Sequence, residues 1–283
     1  MNKPFRWNIE KRNELGSLIN GKPEEIEKEF ISELIDSTSR IIAFSNNSEL
    51  FFIGRSPENY FDFLNGIYSK NNEIKKRINL FQFSGRFFEP NELKKFDSPQ
   101  FFELRKQMIE IGLSPNTILK RNRNTALIDL IYSGSTIRNL VTIIKNWALN
   151  EKADWNGIKS KIRIVGITSR TKNSPNTWRW QQQKESIETL DGIKVKNVSV
   201  NWWFWHELGD EQSKVTLPNS ASKWINETNT KPEITKERIE GLNFAFYLNN
   251  LGKQSNIKEE LRASLQKQIE MKNKWFKEWI TEI

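Results

Sequence analysis

The spacing of apolar residues changes along this chain, and the changes mark out its elements. Ile26, Phe30, Ile31 and Leu34 recur three and four residues apart, which places side chains on one face of a helix. Pro23, followed by Glu24, Glu25 and Glu27, suits the start of that helix. Proline has no amide to leave unpaired there, and carboxylates meet the positive end of the dipole. Residues 1–40 therefore read as a helical extension. From residue 41 short apolar runs alternate with helical stretches. Residues 40–44, 50–54, 78–83, 125–131 and 161–167 read as strands. Helices are predicted after Ser56-Pro57-Glu58, with Ser56 as cap, after Ser98-Pro99, and over residues 136–149, where Ile137, Leu140, Ile143 and Ile144 share a face. Strands alternating with helices imply a mainly parallel sheet with helices on its faces.

After about residue 170 this rhythm fades. Trp178, Trp180, Trp202, Trp203 and Trp205 crowd a less regular stretch, and helices return near Thr235. Ile257, Leu261, Leu265, Ile269, Phe276 and Ile280 form one stripe, which predicts a single long final helix. The expected organisation is α/β: an extension over 1–40, a core over 41–170, and a Trp-rich, helical cap over 171–283.

Composition narrows the chemistry. Of 283 residues, 36% are hydrophobic, and 11 Trp and 18 Phe supply the area of a real core. With no Cys, disulfides, thiolate metal sites and a Cys nucleophile are excluded. His206 is the only histidine, so no multi-histidine metal site can form. The first sixteen residues lack a continuous apolar leader, and no run approaches the roughly 20 apolar residues of a membrane helix. A cytoplasmic protein is expected. The net charge of +9 favours polyanions or coats a Lys-rich solvated surface.

One segment carries a chemical pattern. In Thr125-Ala126-Leu127-Ile128-Asp129-Leu130-Ile131-Tyr132-Ser133-Gly134-Ser135-Thr136-Ile137, an apolar strand runs into a small polar loop and then a helix. Gly134 permits a tight turn and close backbone approach. Amides opening the helix point at an anion, and the dipole favours its charge. Ser133, Ser135 and Thr136 add hydroxyls. Asp129 falls at the carboxyl end of the strand, where open α/β sheets bind ligands.

This segment resembles the phosphoribosyl pyrophosphate signature of type I phosphoribosyltransferases. That signature is an apolar strand, two acidic residues, two mostly apolar residues, and a Ser/Thr-rich loop containing glycine and ending in threonine. Asp129 takes the second acidic place and Ile128 stands in the first. The close likeness covers residues 125–137, and the strand–helix order extends it over 40–170. The resemblance implies a Rossmann-like phosphoribosyltransferase sheet in which Asp129 is catalytic and holds the ribose. Tyr132, Ser133, Gly134, Ser135 and Thr136 would grip the 5′-phosphate. Leu50-Phe51-Phe52-Ile53-Gly54-Arg55-Ser56-Pro57 supplies an earlier strand, turn and helix start, so Arg55 and Ser56 would hold pyrophosphate. Arg86 would belong to a mobile loop. Magnesium (Mg2+) would be held by the ligand and not by the chain directly. Phosphoribosyl pyrophosphate or a nucleoside monophosphate would be the partner, and an acceptor base would stack on Trp178, Trp180 or Trp203.

The leading expectation is an enzyme that transfers or releases a phosphoribosyl group. Two alternatives come from other classes: a non-catalytic nucleotide-sensing effector, which Ile128 favours, and a basic nucleic-acid binder. The segment also reads as an ordinary strand-to-helix turn. The run Lys120-Arg121-Asn122-Arg123 suits a polyanion or a solvated turn, and Asp191-Gly192 reads as a hairpin turn.

Overall fold

The computed structural model describes residues 4–19, 26–85, 99–170, 179–224 and 231–283. Five strands, β1 (Glu49–Ile53), β2 (Ile78–Phe81), β3 (Thr125–Leu130), β4 (Ile162–Ser169) and β5 (Lys194–Val200), form one sheet in the order β2-β1-β3-β4-β5. Every pairing is parallel. Both faces of such a sheet must be covered, so its central strands are apolar almost throughout rather than alternating. β1 reads ELFFI and β3 reads TALIDL.

Side-chain alternation sorts the cover into two layers. Leu50, Phe52, Ile128, Val165 and Val198 face one core with α1 (Lys28–Ser45), α2 (Glu58–Ile67) and the C-terminal helices. Phe51, Ile53, Leu127 and Ile164 face the other. That layer holds α3 (Pro99–Ile111), α4 (Pro115–Lys120), α5 (Ser135–Asn150), α6 (Trp155–Lys161) and α7 (Lys184–Leu190).

Several expectations are corrected. Residues 40–44 are not a strand but the last turns of α1, where Ile41 and Ile42 are fully buried and Arg40 donates to the Ser199 carbonyl at 2.8 Å. The run is apolar because this helix end lies between the sheet and the C-terminal helices, not because it is extended. The sheet does not stop near 170: β5 lies within the expected cap and pairs with β4 over its whole length. Asp191-Gly192 therefore links α7 to a parallel strand and makes no hairpin. Pro57, rather than Ser56, precedes the first residue of α2.

After β5 come α8 (Trp202–His206) and α9 (Lys236–Lys253), and the C-terminal stripe is broken into α10 (Ser255–Gln266), a 3-10 turn (Ile269–Lys272) and α11 (Lys274–Thr281). Extended residues at Gln268 and Asn273 interrupt the predicted long helix, and Ile269 is exposed. The interruption lets Trp279 return to the core, where its carbonyl accepts from the Tyr68 hydroxyl at 2.9 Å and Arg77 lies over its ring at 4.5 Å. The N-terminal and C-terminal helices thus complete one face of the sheet. No helix among the described residues is long and apolar enough to cross a membrane.

Candidate functional site

Parallel strands bring all their carboxyl ends to one edge, and ligands bind where connections from adjacent strands part to opposite faces. Here that place lies between β1 and β3, which pair directly with Phe52 opposite Ile128. The chain leaves β1 for α2 on one face and leaves β3 for α5 on the other. Two loops predicted from sequence, Gly54-Arg55-Ser56 and residues 131–136, thereby leave neighbouring strand ends and flank the position where such a sheet forms its crevice.

The β3 wall is built locally. Gly134 has φ +78° and opens the 16-residue α5. A Cβ at Gly134 would collide with the ring of Trp180, so glycine is required by backbone conformation and by close approach. The Ser135 amide points to Ser133 Oγ at 3.4 Å, and the first helical bond runs from the Arg138 amide to the Gly134 carbonyl at 3.0 Å. The first amides of α5 therefore have no intrahelical acceptor. Arg138 secures the loop from behind, donating to the Ser133 carbonyl at 2.7 Å and to Ser186 Oγ at 3.0 Å. Sequence reasoning missed Arg138; its position one turn into the helix after the loop was the available signal.

Asp129 is 7% exposed. Burial holds its carboxyl well above the usual carboxylate range, opposed only by the Leu130 amide. Its partner across the sheet is Gly166, and Asn197, Ile131 and Trp180 crowd the place of the missing Gly166 side chain. Ile128 points to the opposite face and is fully buried in that core. A carboxylate there would sit in an apolar layer rather than beside Asp129, so Asp129 stands without the acidic neighbour of the resembling signature.

The aromatic residues are distributed differently from expectation. Trp180 is buried, and its Nε1 donates to Asn197 Oδ1 at 3.0 Å. It is a floor under Gly134 rather than an open platform for a base. Tyr132 is 70% exposed and stacks on Trp205 with centroids 5.9 Å apart. Trp203 is exposed on α8. Trp178 and Arg86 lie outside the described residues.

On the β1 wall, Gly54 has φ +79° and donates its amide to the Phe81 carbonyl at 2.8 Å. Arg55 is exposed and Ser56 half-buried. The basic run near 121 lies at the other edge of the sheet. There Arg121 pairs with Glu49 at 2.9 Å and donates to Thr125 Oγ1 at 2.5 Å, so it is a structural tie between strand starts.

A cavity of about 480 Å³ opens at the outer side of β2, lined by Arg6, Phe61, Asp62, Asn79 and Gln82 among others, and no predicted site residue borders it. Among the described residues no group of three or more His, Asp or Glu is placed to hold a metal. No family model matches the chain, no curated protein is significantly similar to it in sequence, and no solved structure is significantly similar to it in fold, so the reading of this site rests on its own geometry.

Proposed function

We propose that the crevice binds a phosphoribosyl compound and that the chain transfers or hydrolytically releases the phosphoribosyl group, as a phosphoribosyltransferase-like protein. The carrying observation is the Gly134 turn, which opens the amides of α5 at the parting of two sheet connections, beside the buried carboxylate of Asp129. The 5′-phosphate sits against the amides and hydroxyls of residues 133–136, an arrangement that needs no cation because the helix end supplies the positive potential. Asp129 faces the ribose, accepts from its hydroxyls, and favours the positive charge that develops as the leaving group departs. Burial without a counter-cation favours its protonated form in the free protein, and a cation brought with the ligand restores the carboxylate.

No group of three or more acids among the described residues is placed to hold a metal, so the chain alone does not fit a resident metal. Magnesium suits this site when carried by the ligand's own oxygens, where it neutralises the leaving group. Positioning and electrostatics supply the rate, with no covalent step on the protein.

Ile128 supports a second reading, in which the same crevice senses a phosphorylated nucleotide without turnover. Pyrophosphate release measured across a panel of bases and with water separates the two. The enzyme reading expects release by the wild type and its loss in Asp129→Asn with ligand binding retained. Tight binding with no release from any acceptor would leave the sensor.

A further inference from the structure

The cavity beside β2 has the features of a separate small-molecule site. β2 is the outer strand of the sheet. The carbonyls of Arg77 and Phe81 accept the Leu50 amide at 2.7 Å and the Gly54 amide at 2.8 Å from the β1 side. Main-chain groups alternate between the two sides of a strand, so the amide and carbonyl of Leu80 face outward. Among the described residues neither has a hydrogen-bond partner. Residues 4–10 pass outside this edge and form the far wall of the cavity, but they add no strand to the sheet. They are tied down on the rest of the fold. Arg6 forks onto Asp62 at 2.8 and 2.7 Å, Lys75 pairs with Glu10 at 2.6 Å, and Trp7 and Ile9 pack with Leu15, Val215 and Leu242. A strap that only shielded the edge could pair with it directly. This one leaves about 480 Å³ between, within the roughly 300–1,000 Å³ usual for small-ligand pockets.

The lining sets the chemistry of an occupant. The charged side chains that border the cavity, Arg6, Asp62 and Glu10, are each paired within the protein, so a charged ligand meets no free counter-charge. Five carboxamides border it: Asn8, Asn65, Asn79, Gln82 and Gln107. Gln107 is 3% exposed. Its Oε1 accepts from Asn219 Nδ2 at 3.1 Å, which fixes the amide, and its Nε2 has no partner. Trp7 is also buried, and its Nε1 has no partner either. Buried donors without acceptors are unfavourable and uncommon in folded proteins. Ile9, Phe61, Ile78 and Ile111 supply apolar wall.

We infer that this cavity binds an uncharged cyclic amide, a flat ring with N–H and C=O side by side. That edge matches the carbonyl and amide that Leu80 presents in the plane of the sheet. Further ring carbonyls take the Gln107 and Trp7 donors, and the apolar wall takes the body of the ring. Carboxamide side chains pair with such edges through two bonds. None of residues 54–56, Asp129 and 131–136 borders the cavity. The ligand is therefore a second one, and the inference stands apart from the phosphoribosyl reading.

Calorimetry on the full chain tests this with uracil, hypoxanthine and 2-pyridone as probes, each beside its N-methylated form. At least one of the three should bind at one site, and N-methylation should weaken it about tenfold or more, through a lost hydrogen bond and a clash at Leu80. Gln107→Met should weaken binding about 3- to 10-fold, the range for a neutral hydrogen bond. Trp7→Phe, which keeps an aromatic ring in place, should act in the same direction and carries the test if Gln107→Met does not fold. Thr136→Val, outside the cavity, should leave binding within about twofold. Absence of binding by all three probes, equal binding of the N-methylated forms, or affinity that Gln107→Met and Trp7→Phe leave unchanged would overturn the inference. Loss of binding in Thr136→Val would also overturn it, by seating the ring at the β3 loop. A failed ribose 5-phosphate titration defeats the phosphoribosyl reading and leaves this inference standing.

Discussion

The two walls of the crevice are made by different means. Residues 131–136 carry no charged side chain; that wall attracts an anion through backbone amides, hydroxyls and the end of α5. The β1 wall differs: Arg55 is exposed on its loop, and the segment that carries Lys214 is anchored beside the start of α2 by Glu58 across a separation of 157 residues. Dipoles fixed by the backbone need no distant partner, whereas a half-buried cation must be positioned by the rest of the fold. The walls should therefore answer differently to mutation, pH and salt.

The largest effect is expected at Gly134. Gly134→Val puts a branched side chain at φ +78° and into the Trp180 ring. It should cost about 2–4 kcal/mol of stability, combining strain with overpacking, and abolish ribose 5-phosphate binding. Trp180→Ala alone should cost about 3–5 kcal/mol as a cavity in the core. The two changes share one contact, so their costs should not add: the double variant should be more stable than the sum predicts. Additivity in chemical denaturation would show that Trp180 is not the floor of the loop.

Asp129 stands between the walls and gives a pH signature. Its folded pKa is raised, so between the ordinary carboxylate range and that raised value the folded state binds more protons than the unfolded state. The contribution to stability is present below the ordinary range and is lost as pH rises through the folded value. Asp129→Asn should flatten this decline and make the free protein more stable than wild type at neutral and higher pH. Thermal unfolding from pH 4 to 9 reads it, and identical slopes in the two proteins would contradict the buried, uncompensated carboxyl.

The same contrast explains what the sequence made legible. The β3 wall was readable because all its parts are adjacent: strand, Asp129, Gly134 and helix start fall within residues 125–137, and local rules govern each. Four of the five strands were placed by their apolar runs. The fifth, KVKNVSV, was missed because Lys194, Lys196 and Asn197 dilute the run on an edge strand with a less buried face. Residues 40–44 misled in the opposite way, since burial on several sides erases helical periodicity. Trp180 could not be told from a ligand platform, because composition reports an aromatic ring but not what covers it. The placement of residues 212–216 carried no local signal, because it comes from Glu58 and Asn59, far away in the chain.

The most direct measurement is calorimetric titration of the wild type with ribose 5-phosphate, alongside ribose and the Thr136→Val variant, at low and high salt. One site is expected for ribose 5-phosphate and none for ribose. Thr136→Val should weaken binding about tenfold for a hydrogen bond lost to a charged group. The salt dependence should be shallow, because this wall holds its anion with dipoles rather than with side-chain charge. Absence of ribose 5-phosphate binding, or binding that Thr136→Val and Gly134→Val leave unchanged, would contradict the assignment of the crevice.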